Sequence, residues 1–157
     1  MRAKGSYKRK HGYSLVELVV VAALLSILAL MALPTAKYTV KRSREMQLRS
    51  ALRQVRFAID EHKRYADAGL IAIEDGTDGY PEELEVLYEG VELANKTDGE
   101  VRFLRKLPED PMTGRAEWGV RSTQDDFDSR GSGGENVFDV YSESRGVGLN
   151  GIPYAEW

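Results

Sequence analysis

Residues 15–33 are nineteen positions in which only Glu17 and Ser26 are polar. No period divides this run into faces, and as a helix it would be roughly 29 Å long, about the thickness of bilayer hydrocarbon. The pattern predicts a transmembrane helix. Beyond Pro34 the pattern becomes a stripe: Leu48, Leu52, Val55, Ile59 and His62 recur at steps of four and three, with Ala51 and Ala58 beside them. That spacing predicts an amphipathic helix. Arg49, Arg53, Arg56, Lys63 and Arg64 fall mostly off the stripe. A proline inside a helix removes one backbone hydrogen bond and kinks it, whereas one at a boundary ends it. The stripe beyond Pro34 favours a kink, and so one long helix that is membrane-embedded in its first half and amphipathic in its second. Gly69 is the expected stop.

After Gly69 the signals are turns and short elements. Asp75-Gly76 and Asp78-Gly79 are turn dipeptides. Pro81 followed by Glu82, Glu83 and Glu85 reads as a helix start, with Leu84, Leu87 and Val91 as its inner face. Strand-like runs follow at 116–122 and 136–142, the second alternating Val137, Asp139, Tyr141 against Phe138, Val140. The fold class predicted is α+β, a long N-terminal helix packed on a small antiparallel sheet. The helix stripe is too short for sustained heptads and its arginines lack interleaved aromatics, so neither a coiled coil nor a nucleic-acid helix fits.

Composition changes this picture in two ways. With 42% hydrophobic and 30% charged residues in 157, the chain is a folding one with room for a single ordinary domain. It has no cysteine, which excludes disulfides, thiol nucleophiles and cysteine-ligated zinc. The net charge of −3 conceals a segregation. Residues 1–12 carry five basic groups and no acid, residues 37–66 carry nine Lys/Arg against three acids, and residues 67–157 carry eight against twenty-one. An acidic distal half would repel a phosphate backbone. Basic residues ahead of the apolar run place the N-terminus in the cytoplasm and the bulk of the chain outside.

Glu17 lies near the start of the apolar run, where a carboxylate is costly unless it is paired or held at the headgroup level. Around it the order is Lys10-His11-Gly12-Tyr13-Ser14-Leu15-Val16-Glu17: a basic leader ending in Gly, an aromatic residue, and Glu five residues after the Gly. This resembles the type III signal of prepilins and pseudopilins. The resemblance implies that a prepilin peptidase cleaves between Gly12 and Tyr13 and methylates the Tyr13 amine. It also implies that Glu17 neutralises the Tyr13 amine of a neighbouring subunit during filament assembly, and that Pro34 marks the helix kink. The domains expected are a cleaved leader, 1–12, a transmembrane segment, 13–35, and a periplasmic or extracellular pilin-like domain, 36–157. The basic helix face would be available to acidic surfaces of neighbouring subunits.

Tyr80-Pro81, Leu84, Leu87 and the turn Leu107-Pro108-Glu109-Asp110-Pro111 resemble the major pseudopilin of type II secretion, the general secretion pathway protein G family, as do Phe138-Asp139-Val140-Tyr141-Ser142, Asn150-Gly151 and Trp157. The function this implies is a structural subunit of an inner-membrane pseudopilus that drives export across the outer membrane. Its partners would be copies of itself, prepilin peptidase, other pseudopilins and an assembly platform. The alternative within the filament class is a type IV pilin of a surface fibre, a class whose major members frequently carry a C-terminal disulfide.

No cofactor is required by these readings. The acidic, Gly/Ser-rich segment 124–135 contains Asp125, Asp126 and Asp128, oxygen ligands of the type Ca²⁺ takes. Their spacing is not that of an EF-hand, which favours a solvated hairpin loop. In relatives of the protein G class calcium sits in a longer C-terminal loop with Asp in its motif, whereas here the loop is short and Asn150 stands in that place, so those ligands do not transfer. A membrane-anchored metal hydrolase built on the three aspartates is the reading from a different class, and no phosphate loop, HExxH or hydrolase elbow supports an enzyme. His62, on the helical stripe, is expected to be a packed or interface histidine.

Overall fold

The computed structural model describes residues 12–94, 99–126, 129, 131 and 133–157, with the backbone alone over 31–36. In chain order the elements are helix α1 (Leu15–Asp67), helix α2 (Val86–Glu89), strands β1 (Val91–Glu92), β2 (Glu100–Val101), β3 (Gly119–Arg121) and β4 (Asp139–Tyr141), and a closing 3₁₀ turn (Tyr154–Glu156). The chain divides into two compact units, Met1–Val40 and Lys41–Trp157.

In the first unit α1 opens at Leu15, where the Ser14 carbonyl accepts the first intrahelical bond, from Leu18 N at 3.0 Å. Glu17 lies in this first turn, where the exposed N–H groups favour a negative charge. The leucines, valines and isoleucine of 15–30 are all exposed, Leu15 by 77% and even Val21 by 46%. The helix is therefore apolar all round, with no polar face to turn to water.

The second unit is built on the predicted stripe. Leu48, Leu52, Val55, Ala58 and Ile59 are fully or nearly fully buried and form one core with Leu84, Leu87, Leu104, Trp118, Val137, Val140 and Tyr154. Each of the larger aliphatic side chains contributes about 1.5–3 kcal/mol by leaving water. α1 ends as expected: Gly69 adopts φ +67°, its N–H reaches the Ala66 carbonyl at 2.9 Å, and Leu70 N reaches Tyr65 O at 3.0 Å. These are the two bonds of a Schellman stop.

β3 and β4 pair antiparallel with Gly119 opposite Tyr141, Val120 opposite Val140 and Arg121 opposite Asp139. A Cβ at Gly119 would overlap the Tyr141 ring, and the Arg121 guanidinium stacks on that ring, 4.3 Å from its centre. A second, two-residue pair joins β1 and β2, Val91 opposite Val101.

The structure corrects several sequence expectations. The helix predicted from Pro81 begins only at Val86, because the Pro81 carbonyl accepts from Val137 N (2.8 Å) and so serves the sheet. Gly90 at φ +111° ends it, so Val91 belongs to β1 and not to its inner face. The strands expected over 116–122 and 136–142 shrink to three residues each. Alternation fails in the second: Val140, Tyr141 and Ser142 are all buried, since Val140 faces the core while Tyr141 covers Gly119 and Ser142 bonds Asp110. A ribbon covered on both sides loses its in–out pattern. The β1–β2 pair was not anticipated.

Candidate functional site

The chemistry-bearing residues of the N-terminal unit are Gly12, Tyr13 and Glu17. Gly12 precedes the helix, its φ is not positive, and no described residue lies within 4 Å of where a Cβ would stand. Neither its backbone conformation nor packing among the described residues therefore demands glycine there. Tyr13 is 78% exposed and Glu17 is exposed. Tyr13 and Glu17 lie four positions apart, just before and within the first turn of α1, at the head of the apolar run. The Pro34 side chain, and with it the predicted kink, lies outside the described residues, although α1 is continuous across that position. Among the described residues, no helix is long and apolar enough to cross a membrane. The described side chains of the apolar run end at Leu30, and 31–33, which complete the nineteen, lie outside them.

In the second unit the basic face of α1 is largely spoken for within the chain. Arg56 donates to both Asp139 carboxylate oxygens (2.6 and 3.3 Å), to Val140 O (3.0 Å) and to Trp157 O (2.7 Å). Arg49 stacks over the Trp157 ring at 4.3 Å. Lys63 pairs with Asp67, and Arg64 with Glu61. The basic face expected to be available to neighbouring subunits is thus partly engaged within the chain, and of the five only Arg49 and Arg53 have no acidic partner among the described residues.

Sequence reasoning passed over Glu45. It is 7% exposed, and its Oε1 accepts both Leu149 N (2.8 Å) and Tyr154 OH (3.0 Å), tying the C-terminal loop to α1. Burial, and then this bond, push the Tyr154 hydroxyl up to about 12. Lys41 Nζ adds a bond to Val147 O at 2.7 Å. The signal was present: Glu45 stands three residues before Leu48, in phase with the stripe.

Asp110, within the Leu-Pro-Glu-Asp-Pro turn, is fully buried. Its Oδ1 accepts Met112 N (2.7 Å) and its Oδ2 accepts Ser142 Oγ (2.6 Å), while Trp118 Nε1 donates to Pro108 O (2.9 Å). His62 packs as expected: it is 6% exposed, its Nδ1 lies 3.2 Å from Gly79 O, and Phe103 meets it edge-on. Burial lowers its pKa, keeping the imidazole neutral.

Among the described residues, the calcium candidates form no metal-holding group. Asp125 accepts Ser122 N (2.7 Å) and Gly133 N (2.9 Å), bonds that hold its carboxyl below the usual range and make it the brace of a loop. Asp126 is exposed and Asp128 lies outside the described residues. Among the described residues, no three His, Cys, Asp or Glu side chains are grouped to hold a metal.

Residues 7–33 match the family described as the prokaryotic N-terminal methylation motif. The chain thus carries a type IV pilin-like prepilin signal, and the match spans Gly12, Tyr13 and Glu17. No curated protein and no solved structure matches the chain.

Proposed function

We propose that this chain is a structural subunit of a filament, processed between Gly12 and Tyr13, methylated on the Tyr13 amine and anchored in the inner membrane through the apolar segment of α1 with its C-terminal domain outside the cytoplasm. The observation that carries the reading is the prepilin-type signal joined to a helix that is apolar on every face. Such a surface needs lipid before assembly and neighbouring helices after it. The space around Gly12 among the described residues is in keeping with the cleavage assignment, in which the glycine serves an enzyme that must pass the backbone. Among filaments, the type II secretion pseudopilus is favoured over a surface pilus by the Leu107–Pro111 turn locked on Asp110, and by the absence of cysteine to fasten a C-terminal loop.

Glu17 and the Tyr13 amine of a neighbour form the assembly pair in this reading, each removing the other's cost of burial. Glu17→Leu makes the segment more apolar, so insertion and cleavage survive while an amine is left unpaired. Losing one member of a buried pair costs about 3–5 kcal/mol, repeated at every subunit added. Sheared-filament assays on cells making the processed variant should show filaments gone. Wild-type yield would remove the intersubunit pair and leave Glu17 at the headgroup level.

A further inference from the structure

Two clefts in the second unit carry opposite charge. The first, about 720 Å³, lies between α1 and residues 103–106. Arg53, Arg105 and Lys106 rim it, all three exposed and none with an acidic partner among the described residues. Phe57 stands at the same cleft, 65% exposed, the largest exposure of any phenylalanine described. The second cleft, about 380 Å³, has Leu84 and Trp118 in its lining and is rimmed by Glu82, Glu83 and Glu85. Those three glutamates are exposed and have no basic partner among the described residues.

From these we infer that the two clefts are halves of one contact between copies of this chain, the Arg53, Arg105 and Lys106 rim of one copy meeting the Glu82, Glu83 and Glu85 rim of the next, with Phe57 as the aromatic anchor between them. The inference rests on the filament reading and adds the surface through which its exposed domains meet. The pattern is that of a stable interface: an aromatic group against an apolar floor inside a ring of paired charges. Complementary potentials fix the register and reject like-charged approaches. The clefts share no lining residue. Where each copy engages two different neighbours through the two clefts the contact is heterologous, and it propagates as an open helix or closes as a ring, whereas reciprocal pairing of the two clefts stops at a dimer.

The absence of cysteine makes the test direct. Gln54 lines the basic cleft and Ala116 the acidic one, and neither is charged. In full-length protein in its membrane, Gln54→Cys with Ala116→Cys on the same chain should give a ladder of multimers with a short bismaleimide, and either cysteine alone should give none. Arg53→Glu with Lys106→Glu should cut the ladder about tenfold or more, and adding Glu82→Lys and Glu83→Lys should restore it, which a merely misfolded variant would not do. Dimers from one cysteine, a ladder indifferent to charge reversal, or a ladder abolished by nuclease would each overturn the contact. Filaments without the ladder would overturn this inference and leave the filament reading standing. The ladder in a chain whose N-terminus is never cleaved would do the opposite.

Discussion

Glu45 and Tyr154 show how much one pair of side chains can hold. The carboxylate sits in the apolar phase of α1 and satisfies a hydroxyl and a backbone N–H that arrive from more than a hundred residues away. Removing it leaves two donors with no acceptor, and Glu45→Ala should destabilise the second unit by about 1–3 kcal/mol, read as a shift in the urea midpoint. The same pair sets an alkaline limit. Tyr154 ionises near 10.0 when unfolded and only at about 12 in the fold, so the neutral form is the one the fold stabilises. Its contribution is complete below pH 10 and is lost as pH climbs towards 12. A stability profile should therefore fall across that interval in the natural chain and flatten in Tyr154→Phe. An equal fall in both proteins would assign the limit to other groups.

At the scale of elements, α1 was legible because its signals are local: a stripe at steps of three and four, a glycine in the left-handed region at its end, and His62 in phase with the core. The rest was less so, for reasons visible in particular residues. Pro81 followed by acids is a sound helix start until Val137 N claims its carbonyl, a bond between residues 56 positions apart. Val140, Tyr141 and Ser142 break alternation because both sides of the ribbon are covered. Arg56 adjoins the stripe and so reads as solvated, yet its fork closes on Asp139, which only the fold brings near. Every buried residue of the core cluster lies at or beyond Leu48. A fragment of residues 36–157 should accordingly be soluble and keep its helix and strands by circular dichroism, the stripe being covered by its own domain. An unfolded or insoluble fragment would mean that the stripe needs more than this domain to cover it.

For the whole molecule, charge and hydropathy run in one order along the chain: a basic start, an apolar helix, a basic amphipathic continuation and an acidic distal part. The motif matched over residues 7–33 was legible in the sequence alone, because it is a local segment whose residues need not be gathered by folding. The acidic loop at Asp125 was the converse, a cluster whose role as a brace is set by contacts to Ser122 and Gly133. The central claim concerns Gly12 and Tyr13, and mass spectrometry of the intact protein isolated from its own membrane tests it most directly. The account predicts a mature chain that begins at Tyr13 and is one methyl group heavier than its sequence. A chain that retains Gly12, or that begins at Tyr13 with an unmodified amine, would contradict it.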